Sequence, residues 1–424
     1  MDAKKWSVNA GKRHIGRKDS IGGIYMRYIL ITGINFNNKG AEAMMFHLYY
    51  YLQKKWPDKK VVALCKNSEQ QLKKYREQYK LRTLSFYPAD FFDAQGGLCS
   101  LAGRARGIQS QRNSANLRKV LCNADLCVDA SGFVFSSKFG FLDNYIWLKK
   151  IELMKKFKIP VIVMPQSFGP FDYPKWFGWV LLRKAKRILQ YPKKIYAREQ
   201  SGFNLMKKYC LAENLFLSSD LVLLGEALNP KQFYRNLSLV KTYKMEAGSV
   251  AVIPNQKLKV HASNVSGGNI YLSAVCALLR EGKRVYIIRH CDSDREFCAA
   301  LADKFEMEDN VVYIDEEVDC IAFARLVGQI DFAVASRYHG VVHSYKAGTP
   351  CVVIGWADKY QELARKVAQE KYVIDLSGYD EHVLDGIIHE MCKNFQKERQ
   401  IITQKYNKII ENSNLYETAF DWMR

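Results

Sequence analysis

Long apolar runs, paired cysteines and an excess of acidic residues are all missing from this sequence. The longest apolar runs, such as Leu221 to Leu224, fall far short of the roughly 18 to 20 residues that span a bilayer, and no apolar signal segment follows Met1. The 11 cysteines are scattered, odd in number and without a CxxC pair, which disfavours a disulfide framework or a zinc site. We therefore expect a cytoplasmic protein with reduced core cysteines.

The deficit of acidic residues points to anionic partners. Against 43 Asp and Glu stand 64 Lys and Arg, which gives a net charge of +21. Nucleic acid, an acidic lipid surface and a multiply charged small substrate are the partners that such a balance favours. The charge is spread along the chain and is not gathered into one basic stripe interleaved with aromatic residues, which disfavours nucleic acid.

Length and periodicity predict the architecture. A chain of 424 residues is too long for one ordinary core. Short apolar strands alternate with helical patterns in two cycles, the first from Arg27 and the second from Ser249, as expected for parallel sheets wrapped by helices. We expect an α/β fold of two Rossmann-like domains that face each other across a cleft, as in the GT-B architecture of glycosyltransferases.

The same patterns divide the chain into segments. We expect a disordered basic tail at 1–26, an N-terminal α/β domain at 27–225, a linker at 226–248, a C-terminal α/β domain at 249–395, and a C-terminal helix at 396–424 that can return to the first domain. Residues 88–120 are rich in glycine and arginine and interrupt the alternation, either as an active-site lid or as a solvated insertion.

The stretch Ser336–Gly340 is the strongest candidate site. An apolar strand that starts at Asp331 runs into a polar turn, and a helix follows. Arg337 and His339 therefore lie where a strand ends and a helix begins, at the edge of a parallel sheet where anionic ligands bind. An arginine fork beside a titratable imidazole favours chemistry on a phosphate or a carboxylate. The alternative is an arginine that caps the sheet and a histidine satisfied in the core.

Other strand-to-helix corners carry polar residues on the same edge. The first is a loop with Asn35, Asn37 and Asn38, laid out like a phosphate or sugar loop, although its asparagines could equally cap their own backbone. Later corners carry Ser131, Gln166 and Arg198. Because the carboxyl ends of parallel strands meet at one edge, these corners predict a common cleft. Arg198 and Arg337 are placed to hold one small dianion between two guanidinium forks.

Two spacings resemble metal sites. Asp292 and Asp294 copy the DxD pair of metal-dependent sugar transferases, but they open a helix, where aspartates cap free N–H groups. His339 and His343 lie one helical turn apart, yet the glutamate of a zinc-peptidase motif is missing. We interpret the aspartates as caps and expect no metal.

The segment from Tyr173 to Arg187 combines aromatic and basic residues at helical spacing. Such a helix can lie on an anionic membrane surface, and the same apolar stripe can pack on the sheet. Core packing is the favoured interpretation, and membrane contact is the alternative.

Taken in chain order, these corners resemble the polysaccharide pyruvyltransferase family from about Arg27 to about Lys366. One departure is Ser131-Gly132, where many members carry a glycine pair. The motifs that carry the resemblance are the Asn-rich loop into Gly40–Met44, Asp129–Phe133, Gln166–Pro170, Ala197–Ser201, Asp220 and Ser336–Gly340.

The resemblance implies transfer of a pyruvyl group from phosphoenolpyruvate to two hydroxyls of a hexose, of galactose type, forming a cyclic ketal on a cell-surface glycan. It implies that His339, with Arg337, is catalytic and protonates the vinyl methylene of the donor. The N-terminal domain would hold the acceptor and the C-terminal domain the donor. The implied donor-binding residues are Arg198, Ser336, Arg337 and Gly340. The implied acceptor-binding residues are Asn35, Asn37, Asn38, Glu42, Ser131 and Gln166.

Two other interpretations stay open. A GT-B glycosyltransferase would need a nucleotide site in the second half and would bind UDP or GDP sugars. A non-catalytic protein that binds nucleic acid or another anionic polymer would need only the charge. From the resemblance we expect no cofactor other than phosphoenolpyruvate as co-substrate. The expected acceptor is a hexose glycan or a polyprenyl-diphosphate-linked oligosaccharide, met at the anionic inner face of the cell membrane, and we expect no nucleic acid.

Overall fold

Two parallel β-sheets, each covered by helices, make up the computed structural model of the chain. The structure describes residues 27–85, 114–258, 269–376 and 380–423. The predicted tail at 1–26 and most of the insertion at 88–120 lie outside the described residues; the end of the insertion, from Ser114, is helical. The predicted fold of two Rossmann-like domains is confirmed.

The N-terminal domain is built on a seven-stranded sheet. Its strands are β1 Tyr28–Ile34, β2 Lys60–Cys65, β3 Thr83–Ser85, β4 Ala124–Asp129, β5 Val161–Gln166, β6 Lys194–Ala197 and β7 Leu215–Leu217. Its helices are α1 Lys39–Lys55, α2 Glu69–Gln78, α3 Ser114–Cys122, α4 Phe141–Lys156, α5 Lys175–Ile188, α6 Gln200–Met206 and α7 Leu221–Leu224. The strand order is β3-β2-β1-β4-β5-β6-β7. Ile29 and Ile31 enter one apolar cluster while Leu30 enters another, as in a sheet buried on both faces.

The segment predicted as a linker, 226–248, is packed against the first domain. It contains the short helix α8, Pro230–Phe233. The rings of Phe233 and Tyr234 are buried, with centroids 4.7 Å from the Phe46 ring and 5.0 Å from the Tyr79 ring, respectively. These aromatic contacts hold the segment between the domains against the N-terminal domain.

The C-terminal domain repeats the plan on a six-stranded sheet. Its strands are β8 Ser249–Ile253, β9 Arg284–Ile288, β10 Val311–Ile314, β11 Phe332–Ala335, β12 Cys351–Gly355 and β13 Val373–Asp375. Its helices are α9 Asn269–Arg280, α10 Arg295–Ala302, α11 Cys320–Val327, α12 Tyr338–Lys346, α13 Asp358–Lys366, α14 Glu381–Glu411 and α15 Leu415–Thr418. The strand order is β10-β9-β8-β11-β12-β13. In both sheets the order in which the chain adds strands reverses at an internal pair, β1 and β4 in the first and β8 and β11 in the second.

The carboxyl edges of the two sheets face each other. Backbone contacts join the loop after β1 to the loop after β9: the Lys39 N–H donates to the His290 carbonyl at 3.2 Å, and the Asp292 N–H donates to the Asn37 carbonyl at 3.0 Å. One apolar cluster contains side chains of α1, α7, α11 and α12 and therefore belongs to both domains. The domains are held by a shared core as well as by polar contacts.

The C-terminal segment packs on the N-terminal domain. Helix α14 begins well before the predicted boundary at 396, and its far end reaches α7, where the Tyr406 hydroxyl donates to the Leu223 carbonyl at 3.1 Å. Beyond it, the Phe420 ring lies 5.6 Å from the Trp56 ring at the end of α1. Within the described ranges, every helix is too short or too polar to cross a bilayer.

Candidate active site

A cavity of about 440 Å³ lies between the carboxyl edges of the two sheets. Its walls come from the loops after β1, β4, β6, β8, β9, β11 and β12, which include the two places where the strand order reverses. Ligands of open α/β sheets bind at such places. Among the described residues that line it there is no Asp or Glu. The lining residues with long cationic side chains are Lys138, Arg198, Lys257, Arg337 and Lys359.

His339 reaches this cavity from the first turn of α12, directly after β11, as the strand-turn-helix pattern predicts. Its side chain is 11% exposed. Gly40 of α1 lies against its ring, and a methyl group on Gly40 would overlap the imidazole. The close approach of α1 to α12 therefore requires glycine at this point, and this contact between the domains positions the ring.

The buried carboxylate of Asp220 lies behind His339. Its Oδ2 atom is 3.6 Å from His339 Nε2 and accepts a 2.9 Å hydrogen bond from Arg198 Nη1. Its Oδ1 atom accepts a 2.8 Å bond from the Val222 N–H and so caps α7. Burial alone would raise the pKa of Asp220, but the positive charges of His339 and Arg198 hold that pKa well below its usual range. Asp220 is therefore an ionised group that lies directly behind His339.

A half-buried lysine, Lys346, joins the helix of His339 to the helix that Asp220 caps. Lys346, in the last turn of α12, donates from Nζ to the carbonyl oxygens of Val222 at 2.7 Å and Gly225 at 2.6 Å, at the end of α7. The ammonium thus satisfies carbonyls that a short helix leaves unpaired. Burial lowers the pKa of Lys346 to about 7. The contact fixes α12 relative to the carboxylate behind its histidine.

Arg198 and Arg337 line the same cavity, as predicted from their positions, and both are already engaged by buried carboxylates. Arg337 donates to both carboxylate oxygens of Asp294, with Nε 2.7 Å from Oδ2. Arg198 donates from Nε to Glu199 at 2.9 Å and from Nη1 to Asp220. Each guanidinium is therefore largely neutralised by buried carboxylates, because an unpaired charge at this depth would be costly. Arg337 Nη1 and Arg198 Nη2 make no hydrogen bond to any described residue and are left for a ligand.

The interpretation of Asp294 as a helix cap is wrong. Its side chain makes no bond to the first turn of α10. It is fully buried, and it accepts from the Gln256 N–H at 3.2 Å as well as from Arg337. Its role is to orient Arg337. Within the described ranges, no group of three or more His, Cys, Asp or Glu side chains is placed to hold a metal ion.

Lys359 is a cavity residue that the sequence interpretation missed. It lies in the first turn of α13, after β12, and is buried. Its Nζ atom is 4.5 Å from the ring centres of both Phe133 and Trp356, and it has no carboxylate at ion-pair distance in the described part of the chain. Burial, with the positive charge of Arg198, lowers the pKa of Lys359. A bound anion would supply the missing counter-charge. Its position at a strand-to-helix corner was the available signal.

His290 is a second residue that was missed. It follows β9, lines the cavity and is 1% exposed. Neither of its ring nitrogens has a hydrogen-bond partner among the described residues. Burial, followed by the positive charges of His343 and His339, lowers the pKa of His290 well below its usual value. A neutral imidazole in the wall of a cavity can accept a hydrogen bond or a proton from a ligand.

A second cavity, of about 410 Å³, adjoins the first and shares Ser131, Phe133, Phe139 and Lys257 with it. Ser131 therefore lies between the two spaces. Asn35 lines the second cavity. Asn38 lines the first and also caps α1, accepting from the Gly40 N–H at 2.9 Å. These three of the predicted acceptor-binding residues can face a ligand.

The other predicted acceptor-binding residues line neither cavity. Asn37 Oδ1 accepts a 3.0 Å bond from Asn67. Gln166 is fully buried, with no partner for its amide in the described structure. Glu42 is fully buried between the domains and accepts from the Cys320 N–H at 3.1 Å. The buried position of Glu42 leaves no surface for the predicted contact with a sugar, because the first turn of α1 packs against α11.

Two predicted donor-binding residues, Ser336 and Gly340, shape the turn between β11 and α12. Ser336 is fully buried, and its hydroxyl is bonded to the Tyr271 hydroxyl; its carbonyl accepts from the Tyr360 hydroxyl at 2.8 Å. A Cβ on Gly340 would lie 3.3 Å from the Ile253 side chain, so Gly340 sits tightly on β8. Both shape the turn that presents Arg337, and neither lines the cavity.

Solved structures with a similar fold have low sequence identity. HepE (Alr3699) of Anabaena, in complex with UDP, is 13% identical with a TM-score of 0.54, over 93% of this chain and 98% of that one. The glycotransferase of kitacinnamycin is 13% identical with a TM-score of 0.53, over 93% and 97%. UDP-GlcNAc 2-epimerase of Methanocaldococcus jannaschii is 13% identical with a TM-score of 0.51, over 87% and 93%. At this identity the likeness shows the GT-B-like fold alone.

A family model gives the more specific result. No curated protein sequence matches the chain significantly. The model of the family described as polysaccharide pyruvyl transferase matches residues 38–358, which run from the Asn-rich loop to the start of α13 and take in both domains and the cavity between them. The chain belongs to the polysaccharide pyruvyl transferase family.

Proposed function

We propose that the protein transfers a pyruvyl group from phosphoenolpyruvate to two hydroxyls of a hexose, of galactose type, and releases phosphate. The hexose belongs to a cell-surface polysaccharide or to its lipid-linked precursor. One observation carries the proposal: a cavity whose described lining has no acidic residue holds several cations around His339, and a buried carboxylate lies 3.6 Å behind that histidine. A donor with a phosphate and a carboxylate, whose reaction begins with protonation, fits that combination.

The donor is held by cations with different surroundings. Lys359 has aromatic rings against its ammonium and no carboxylate at ion-pair distance among the described residues, so a phosphate or carboxylate would restore its charge and become its ion-pair partner. Arg337 is oriented by Asp294 and keeps Nη1 for the ligand. Lys138, exposed at the rim with Nζ 4.7 Å from the Trp356 ring centre, adds a third positive charge. The free N–H groups at the start of α12 favour the same anion.

His339 acts as the acid. Its imidazolium protonates the methylene carbon of phosphoenolpyruvate, which becomes the methyl group, and positive charge develops at the neighbouring carbon. One sugar hydroxyl adds to that carbon, the bond to the phosphate oxygen breaks, and a second hydroxyl closes the ketal. Of the two hydroxyl protons, one balances the proton delivered to the methyl group and the other leaves on phosphate. The ionised Asp220 lies 3.6 Å from Nε2 of this acid and faces it throughout.

His290 is suited to accept a hydrogen bond from a sugar hydroxyl. It is neutral because burial and neighbouring positive charge lower its pKa, and its nitrogens have no partner within the described residues. The two imidazoles of the cavity thus have different surroundings, His339 beside a carboxylate and His290 beside cations.

The acceptor occupies the second cavity and extends into the first. Asn35 and Ser131 offer hydrogen-bond partners there, and Phe133, Phe139 and Trp147 offer flat apolar faces for a sugar ring. A lipid-linked acceptor would place the protein in the cytoplasm at the inner face of the cell membrane.

The test is to add phosphoenolpyruvate with galactosides to the full-length protein, and to measure phosphate release together with the product by mass spectrometry. We expect phosphate and a pyruvylated sugar in equal amounts. Calorimetry with phosphoenolpyruvate and with UDP separates the alternatives. Tight UDP binding with no response to phosphoenolpyruvate would replace the proposal with a GT-B glycosyltransferase. Binding of DNA alone, with a steep dependence on salt, would replace it with an anionic-polymer protein.

A further inference from the structure

Helix α5 has an apolar outer face that the N-terminal domain leaves uncovered. Trp176 is 67% exposed, Trp179 is 61% exposed and Val180 is 45% exposed. Leu142, at the start of the neighbouring helix α4, is 47% exposed. We call these four residues the tryptophan face. Side chains of this size are normally at least half-buried, and large apolar groups gathered on one surface mark a binding site.

The opposite side of α5 supplies the packing that the sequence pattern predicts. Leu181, Ala185 and Ile188 are buried against the sheet. The two interpretations of this segment therefore describe two faces of one helix. Core packing needs only the inner face, so the tryptophans on the outer face are not required to hold α5 in place.

Basic residues continue the tryptophan face along the helix. Arg183 is exposed, and its guanidinium carbon lies 5.1 Å from the centre of the Trp179 ring. Lys186 and Arg187 follow, both exposed. Near this stretch the carboxylate of Glu152 forms ion pairs with Lys184 at 3.1 Å and with Arg187 at 3.5 Å. Arg183 and Lys186 have no ion pair in the described structure.

A basic groove lies at the far end of the same helix. It has a volume of about 610 Å³, and its charged lining residues are Lys155, Lys158, Arg187 and Lys193. The outer side of α5 thus runs from tryptophans to cations, and none of the described residues that line the groove is a carboxylate. The apolar and aromatic side chains suit the boundary between headgroups and acyl chains of a bilayer, and the basic side chains suit negatively charged headgroups.

The tryptophan face also borders the proposed acceptor site. Leu142 is adjacent in sequence to Asp143, which lines the second cavity together with Ile146. The ring of Phe177, on α5, lies 5.4 Å from the ring of Phe141 at the start of α4. A surface lying on the tryptophan face would therefore be close to the mouth of that cavity.

We propose that the tryptophan face, with Arg183 and Lys186, docks the protein on an anionic lipid bilayer. The docked orientation presents the second cavity to a sugar whose lipid anchor stays in the membrane. The docking itself does not depend on the reaction, whereas its use in delivering the acceptor rests on the proposed function.

The experiment uses the full-length chain and two kinds of sedimented vesicle, phosphatidylcholine alone and phosphatidylcholine with phosphatidylglycerol. We expect binding to the anionic vesicles that is at least tenfold stronger than to the neutral ones and that weakens at high salt. Trp176→Ala/Trp179→Ala should lower binding to anionic vesicles about tenfold or more. The matched control is Leu237→Ala/Leu239→Ala, which removes two exposed apolar side chains from the segment between the domains and should leave binding unchanged.

Other outcomes have definite meanings. Equal binding of the tryptophan variant and the wild type, or no binding of the wild type to anionic vesicles, overturns the proposal. So does a dimer in solution that the tryptophan variant abolishes, because the face would then bind a second copy of the chain. Turnover of a water-soluble galactoside should be the same in both variants. If the wild-type protein does not turn over the water-soluble galactoside at all, that result counts against the proposed function, whatever the vesicles show.

Discussion

Replacing Asp220 by asparagine tests how the carboxylate behind His339 supports catalysis. Asparagine keeps the shape of the side chain and can still cap α7 through its carbonyl oxygen, since Asn and Asp are comparable caps. What is lost is the negative charge 3.6 Å from His339 Nε2. Arg198 retains Glu199 at 2.9 Å, so its guanidinium is not left unpaired.

The magnitude follows from the distance. A pair of unit charges at that separation is worth between about 4 and 5 kcal/mol at an effective dielectric constant of about 20. Because Arg198 shares the carboxylate and His339 is 11% exposed, we take about half, or roughly 2 kcal/mol. That free energy corresponds to about a thirtyfold change in a rate constant. We expect kcat at neutral pH to fall by the same factor.

The assay is kcat as a function of pH. Removing the negative charge beside the proposed acid should make the fall in kcat with rising pH begin at a lower pH than in the wild type. Asp294→Asn is the matched control, because it removes a buried carboxylate from Arg337 and should raise KM for phosphoenolpyruvate without displacing the pH profile. Folding is checked by urea unfolding of both variants. An Asp220→Asn enzyme with wild-type kcat at every pH would refute the reasoning.

Three further substitutions test neighbouring parts of the account. Gly40→Ala should lower kcat about tenfold or more because the methyl group overlaps the His339 ring, whereas Gly386→Ala, in open space on α14, should not; equal kinetics would contradict this. Lys359→Met should raise KM for phosphoenolpyruvate about tenfold without loss of thermal stability, since a buried cation without a carboxylate is removed; an unchanged KM in a destabilised protein would make Lys359 structural. Burial raises the pKa of Glu42 to about 8, against about 4.5 in the unfolded chain. Between these two pH values the folded state binds one more proton than the unfolded state, so the free energy of unfolding decreases as pH rises. Urea unfolding of Glu42→Gln should not show this decrease.

The sequence was sufficient for the fold and for the position of the main motif. Strands that are apolar on both faces, alternating with helices, have few arrangements other than a parallel sheet, and two such cycles give two domains. A polar turn between β11 and α12 has to lie at the carboxyl edge, so the position of His339 could be derived from the order of elements alone.

The partners of the motif could not be derived in the same way. Asp294 resembles a helix cap in sequence, and only the strand order, in which β8 lies between β9 and β11, brings it to Arg337. Glu42 follows the polar first loop in sequence, but the docking of α1 against α11 turns it into the interface. The first contact depends on strand order within one sheet and the second on how the two domains meet, and local patterns carry no information about either.

The most direct measurement of the central claim is to run the reaction in deuterium oxide with phosphoenolpyruvate and a galactoside acceptor. If a protein acid protonates the methylene carbon, each product molecule should contain one deuterium in the methyl group of the ketal, seen by NMR and mass spectrometry, for each phosphate released. Phosphate release without a ketal, a ketal without deuterium in its methyl group, or consumption of a nucleotide sugar in place of phosphoenolpyruvate would contradict the account.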